Sequence, residues 1–303
     1  MAMANEATDL TAHSRMSIRR VPFSYSYSAN ATAHWNGDKP EFSQVVNAAS
    51  LAMPFLEPYL VKIMREARSG ITDPALREDL DLYIVQEATH SRQHKKFNDT
   101  IAAAGYGCVS ELEAKLDSDY AALGDKRSER FNLAYAEGFE AMALAVGHML
   151  IEEREYLFAN SDSSVASLVL WHFVEEIEHK NVAFDVFHHL HGGYFWRMVG
   201  LVYATGHIFS RTRGGYRALL KEDGLWGNLA SRWRLAKQLT RIFRNLIPKM
   251  LRICRPGYHP SKIPDPQWAE SWTKLYDRSR EAVAQLDTGR LDEPGAAAQA
   301  TAA

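Results

Sequence analysis

The sequence predicts an all-α protein: a four-helix bundle with additional C-terminal helices. Three observations carry this. Apolar residues recur at helical spacing in four consecutive stretches between residues 41 and 190, each about 28 residues or roughly 40 Å long. The stretches are separated by capping and turn signals, with no strand alternation between them. Two of the four carry a Glu-x-x-His pair on the face that would point inward.

The bulk composition fits this reading. The chain has 303 residues, 46% hydrophobic and 24% charged, enough for a substantial core. Cys108 and Cys254 are too few for a disulfide framework or a thiolate metal site, so the protein is expected to be cytoplasmic and reduced. No apolar N-terminal run suggests a secretory signal. The most apolar window, residues 194–210, contains Arg197 and His207 and reads as a buried helix rather than a membrane span. The net charge of −2 hides an asymmetry, because residues 211–255 hold twelve Lys/Arg against Glu222 and Asp223.

In chain order, residues 1–40 read as a polar arm, with a short strand expected in Ser24-Tyr25-Ser26-Tyr27-Ser28. Residues 41–265 are expected to form the helical domain. Its first helix carries Pro54 and Pro58, so it either starts near Pro54 or bends there. Thr72-Asp73-Pro74 is a helix start with proline at the first helical position, and Gly105 is the expected stop. Ser110 with Glu113 predicts a capping box for a shorter helix. Ser128 opens the next helix, predicted to reach about Phe158. After the Asn160-Ser161-Asp162-Ser163-Ser164 turn, a fourth long helix is predicted to reach Leu190. Beyond Gly193 come an apolar helix, a glycine-broken basic connector and an amphipathic basic helix over residues 229–254. Residues 266–303 should form a terminal helix and a disordered Ala-rich tail.

The chemistry is expected where the two Glu-x-x-His pairs lie. Glu176 and His179 fall within about 60° of His172 on a helix, whereas Glu178 points away. Glu87 and His90 repeat the spacing on the second long helix, with His94 on the same face one turn on. A bundle that holds two carboxylate-bridged metals takes such a pair from two helices and one Glu from each of the others. The first helix offers Glu57. The third offers Glu137, preferred because Gly138 leaves room for close approach, or Glu140 one turn away. The predicted metal set is therefore Glu57, Glu87, His90, Glu137, Glu176 and His179, with His172 as a seventh ligand or a core histidine. Four carboxylates balance two divalent cations, and oxygen with imidazole nitrogen suits two iron ions, with manganese or zinc as alternatives. His94 is a further ligand, a hydrogen-bonding partner behind a ligand, or a proton shuttle. Glu175 and Asp185 are candidates to hydrogen-bond ligand imidazoles from behind.

Met53-Pro54-Phe55-Leu56-Glu57, Gln86-Glu87-Ala88-Thr89-His90 with His94 and Asn98, the run from Trp171-His172 to Phe187, and Arg255-Pro256-Gly257-Tyr258-His259-Pro260 together resemble the bacterial family of predicted metal-dependent hydrolases. The resemblance covers residues 40–265 and implies a ferritin-like fold, with the family's metal glutamate at Glu137. Here Glu-Gly-Phe-Glu stands where the family has Glu-His-Phe-Thr, and Leu56 replaces the usual glycine. The His172, Glu176, His179 run is also similar, locally, to di-iron arylamine N-oxygenases, which carry an extra histidine ligand.

Three functions are open at this point. The first is an O2-activating di-iron oxidoreductase, an oxygenase, N-oxygenase or desaturase, with Phe139, Trp171, Phe173 and Phe184 expected to keep the site dry. The second is a binuclear hydrolase using a bridging hydroxide, with His94 or Glu140 as its catalytic proton shuttle. The third is a non-enzymatic metal or lipid-surface binder. Expected partners are a small-molecule or acyl substrate, an external electron donor for an oxygenase, and a second copy in a homodimer. The basic segment suggests peripheral contact with anionic lipid or an acyl-carrier protein. Nucleic acid is not expected, since Trp226 and Trp233 follow the pattern of a packing helix.

Overall fold

A computed structural model describes residues 16–25 and 33–294. Its helices are α1 (Pro40–Ala67), α2 (Pro74–Ala103), α3 (Cys108–Lys126), α4 (Glu129–Glu152), α5 (Arg154–Phe158), α6 (Ser163–Glu178), α7 (Val182–Leu190), α8 (Tyr194–Glu222), α9 (Leu229–Ile253), α10 (Gln267–Arg278) and α11 (Arg280–Ala284). The protein is all-α. Among the described residues the one extended pairing is an isolated bridge between Asn36 and Ser161. No helix of the described residues is long and apolar enough to cross a membrane.

Four walls enclose the interior. Helix α1 packs on α2 and α4, and the consecutive pair α6 and α7 packs on α2 and α4 from the other side. These neighbour relations are those of the expected four-helix bundle. Helix α8 lies outside it across α1 and α4, and the inner face of α9 rests on the same two helices. Gly138 of α4 and Gly200 of α8 allow this close approach. A Cβ on Gly138 would sit 2.3 Å from the Leu201 nitrogen, and one on Gly200 would sit 1.8 Å from the Ala134 oxygen. The space beside Gly138 is therefore filled by α8.

Local chemistry explains most boundaries. Asp73 accepts hydrogen bonds from the Ala75 and Leu76 amides at the start of α2, and Gly105 ends that helix region at φ +98°. Ser128 caps α4, Asp162 caps α6 and Asn228 caps α9 in the same way.

Several expectations are corrected. Helix α1 does not start near Pro54 but runs continuously from Pro40 through Pro54 and Pro58. A proline has no N–H to offer the carbonyl four residues earlier, so Pro54 leaves the Ser50 carbonyl free. The Asn98 side-chain amide donates to that carbonyl at 2.9 Å. Helix α3 starts at Cys108 rather than at a Ser110 capping box, because the Glu222 carboxylate accepts from the Gly107 and Cys108 amides at 2.9 and 2.7 Å. The helix predicted to reach Phe158 breaks at Glu153, and the one predicted to reach Leu190 breaks at His179 (φ −93°, ψ 12°). The glycine-broken connector is helical to Glu222, with Gly215 seated against Ala48 of α1. The terminal helix divides at Ser279.

Residues 16–25 have no regular secondary structure and pack on the bundle. Phe23 meets Trp171 at 5.2 Å between ring centroids, and Tyr25 meets Phe97 at 5.6 Å. Most of the expected strand, and the Ala-rich tail from residue 295, lie outside the described residues.

Candidate metal centre

Helix α2 presents Tyr83, Glu87, His90, His94 and Asn98 at spacings of three and four, so all five share one face. All five are buried. Facing them are Glu57 from α1, Glu140 from α4, His172 and Glu176 from α6, and His179 from the link after α6. Each of these is at most 5% exposed.

The donors converge. His179 Nε2 lies 3.2 Å from Glu87 Oε1 and 3.6 Å from Glu176 Oε1, and its Nδ1 lies 3.5 Å from Glu140 Oε2. His90 Nδ1 lies 3.8 Å from Glu87 and 3.6 Å from Glu176. His172 Nε2 lies 3.1 Å from Glu176 Oε1, and its Nδ1 lies 3.9 Å from Glu57 Oε1. Two overlapping groups each bring their donor atoms within 4.8 Å of one another: Glu87, His90, Glu176 and His179, and Glu57, His90 and His172.

These residues fit metal ions on a direct test. Both carboxylate oxygens of Glu57 and of Glu87, Oε2 of Glu140 and of Glu176, Nδ1 of His90 and both ring nitrogens of His179 are buried without a hydrogen-bond partner. Buried polar atoms are nearly always paired, and a buried unpaired charge is costly. Cations among Glu57, Glu87, His90, Glu176 and the His179 Nε2 would satisfy most of these atoms, with His179 Nδ1 left to face Glu140 Oε2.

The electrostatics show the same need for positive charge. Burial and then repulsion from Glu87 push the Glu57 carboxyl far above its usual range. Burial and then Glu176 lift Glu140 to about 8. Burial also opposes ionisation of Glu176, but His179, His172 and His90 outweigh it and hold this carboxyl well below the ordinary value. Burial disfavours charged His90 and His179, yet the carboxylates around them hold both well above the normal imidazole value.

Outside the donors, residues behind the ligands fix the rings. His90 Nε2 donates to Glu175 Oε2 at 3.0 Å, which turns Nδ1 toward Glu87 and Glu176. Glu175 is in turn 3.5 Å from Arg19, whose guanidinium binds Glu178 through two contacts of 2.7 Å. Glu178 is thus absent from the cluster, as its helical phase predicts, and helps hold the arm over it. Asp185 meets no ligand imidazole and pairs with His259 at 3.3 Å.

His94 stands behind His172. Its Nε2 is 2.7 Å from His172 Nδ1, and its Nδ1 is 2.8 Å from the Ser50 hydroxyl. The Asn98 amide donates to the Ser50 carbonyl, so Asn98 Oδ1 is oriented to accept the Ser50 proton at 2.7 Å. Ser50 therefore accepts from His94 Nδ1–H, His94 Nε2 accepts from His172 Nδ1–H, and His172 Nε2 keeps a lone pair toward Glu176. Burial, followed by His172 and His90, holds His94 well below its ordinary value, in keeping with two neutral rings.

Glu137, the preferred sequence candidate on the third long helix, is not in the cluster. Its side chain turns to α8, 3.8 Å from Arg197, and burial, partly offset by that arginine, raises its carboxyl to about 8. Glu140 occupies the α4 position in the cluster, and the Tyr83 hydroxyl donates to its Oε1 at 2.8 Å. Trp171 sets its ring edge-on to His90 at 4.8 Å, and Phe173 lies 5.1 Å from His172. Phe184 instead stacks on His188 at 4.0 Å. Phe139 is buried on α4 and has no ring contact with the donors among the described residues.

Sequence reasoning passed over Tyr83, Ser50 and Arg19. Tyr83 was findable, one turn before Glu87 on the stripe that also carries Asn98. Ser50 and Arg19 give no local signal, because their partners lie 44 or more residues away in sequence.

The fold and the cluster define a class: an all-helical protein with a buried carboxylate–imidazole centre for metal. The chain belongs to the family described as predicted metal-dependent hydrolases, whose family model matches residues 17–263. No curated protein and no solved structure matches the chain.

Proposed function

We propose that the protein is a metal-dependent hydrolase whose centre is built by Glu57, Glu87, His90, Glu140, His172, Glu176 and His179. Family membership supports hydrolysis, and the single observation that carries the centre is the set of buried, unpartnered donor atoms on all of these residues except His172. Four carboxylates match the charge of two divalent cations, with zinc, manganese or iron all suited to oxygen and imidazole donors.

Metal ions held here supply Lewis acidity and acidify water for hydrolysis, or, as iron, supply electrons to O2. The chain's own residues set the frame for either. Glu175 and His94 hold the His90 and His172 rings with chosen nitrogens inward. Tyr83 spends its proton on Glu140 Oε1 and leaves Oε2 facing His179. Trp171 and Phe173 exclude water from one side of the ligand rings.

A second reading, an O2-activating di-iron oxidoreductase of oxygenase, N-oxygenase or desaturase type, is favoured by one observation. The N-oxygenase form of such a site carries a third imidazole, and His172 is only 5% exposed and adjoins the cluster.

One experiment separates the two. Protein purified from metal-supplemented medium is analysed for metal, then assayed without O2 on p-nitrophenyl esters of short and long acyl chains. Hydrolysis that survives strict anaerobiosis with zinc or manganese, and is lost in Glu87→Ala, is the expected result. No hydrolysis with any metal, together with O2 uptake by the ferrous protein, would reverse the order of the readings.

A further inference from the structure

Helix α9 has two apolar faces, and only one is used by the fold. Leu235, Leu246 and Ile253 are buried on the inner side. Arg234 reaches Glu41 of α1, while Arg241 and Asn245 reach Glu153 and Lys249 reaches Glu152 at the end of α4.

The opposite side carries Leu229, Trp233, Ala236, Thr240, Phe243, Ile247 and Leu251. At about 100° per residue these fall within about 80° of one another and run the length of the helix, about 37 Å. Leu229 is 83% exposed, Trp233 73%, Leu251 63% and Ile247 51%. Single exposed apolar residues mean little, but a continuous stripe marks a contact surface. Among the described residues Phe243 meets Phe209 of α8 at 5.8 Å between ring centroids and is 38% exposed, while the other large apolar side chains of the stripe stand open.

Charge decides what does. Helix α9 contains no Asp or Glu. Arg232, Lys237 and Arg244 are exposed beside the stripe, and among the described residues none of the three has a carboxylate partner. Two copies joined through this stripe would bring their basic flanks together with no acidic complement. An anionic surface meets both the stripe and its flanks.

We propose that α9 is a membrane-surface helix that lays Leu229, Trp233, Phe243, Ile247 and Leu251 into the interface of an anionic bilayer, with Lys237 and Arg244 at the headgroups. The helix lies in the plane of the surface and does not span it. The site is independent of the metal centre.

The test is sedimentation of the full chain with phosphatidylcholine vesicles and with vesicles containing about one-third phosphatidylglycerol. Binding to the anionic vesicles alone is expected, weakening as salt rises, with a blue shift of tryptophan emission that disappears in Trp233→Phe. Lys237→Glu with Arg244→Glu should lower the partition coefficient at least about tenfold. Trp233→Ser with Ile247→Ser and Leu251→Ser should abolish binding while far-UV circular dichroism and metal content stay unchanged, since all three side chains are exposed. No binding to anionic vesicles at low salt overturns the proposal. So does a wild-type dimer that the triple serine variant converts to monomer without any vesicle binding, because the stripe would then join two copies.

Discussion

His94 Nε2 and His172 Nδ1 lie 2.7 Å apart, and a proton on His172 Nδ1 lets each member of the series bond the next. With Asn98 oriented by the Ser50 carbonyl, each proton in the series points away from the centre, and His172 Nε2 keeps its lone pair. Pro54 is part of the device, because it leaves the carbonyl that Asn98 uses. Outer partners of metal-ligating imidazoles typically contribute 10- to 100-fold to affinity. Ser50→Ala and His94→Phe should each weaken metal binding by about that factor, as read by competition with a chromophoric chelator. Unchanged affinity in both variants would remove the relay from the site.

The two glutamates of α4 should behave in opposite ways. Glu140→Gln removes a donor within 3.5 Å of His179 and should lower metal content, whereas Glu137→Gln should leave it near the wild-type value. Elemental analysis of the two purified variants makes the comparison. Metal loss in Glu137→Gln with full retention in Glu140→Gln would restore the assignment drawn from sequence.

Glu137 also predicts a pH dependence. Its carboxyl is raised to about 8 in the fold, above an ordinary value of 4.5. Between those values the folded state holds one proton more than the unfolded state, so stability falls as pH rises by about 1.4 kcal/mol per unit. The contribution is fully present below about 4.5 and is lost on passing about 8. Glu137→Gln has no such proton, so its urea midpoint should decline less steeply than that of the wild type between pH 5 and 8. Parallel curves would mean that Glu137 is already ionised in the fold.

Arg19 sits between two carboxylates in a buried setting, 3% exposed, with Glu175 at 1% and Glu178 at 13%. Removing one partner of a buried ion pair costs about 3–5 kcal/mol, because the remaining charge is left unpaired. Arg19→Met should destabilise the protein by that order, and should also weaken metal binding through Glu175 and His90. Chemical denaturation with and without metal measures both effects.

Gly200→Ala should be among the most damaging small substitutions. The new methyl would stand 1.8 Å from the Ala134 carbonyl oxygen, so α8 must move off α4. Overpacking of this kind costs about 1–3 kcal/mol or more. Gly206→Ala on the same helix meets nothing within 4 Å and should be neutral or slightly stabilising in a thermal melt.

Much was legible in the chain itself. Asp73, Ser128 and Asp162 announce three of the long helices, because capping is chemistry between residues two or three apart. Glu87 and His90, and Glu176 with His172, were readable as pairs because a helix places residues three and four apart on one face. The same periodicity misled at α4, where Glu137 and Glu140 lie one turn apart and sequence cannot say which side α8 covers. Gly138 signalled a close approach correctly, but the approaching partner is the backbone at Gly200 and Leu201.

What the sequence determined by itself is the helical class, the family and the residue types of a carboxylate–imidazole centre, since all of these rest on short-range periodicity and motif. The tertiary structure decided the rest: Glu140 beside His179 with Glu137 turned to Arg197, the arm held by Arg19 against Glu175 and Glu178, and the series from Asn98 through Ser50 and His94 to His172. These depend on which helices lie side by side, and no spacing along the chain encodes that.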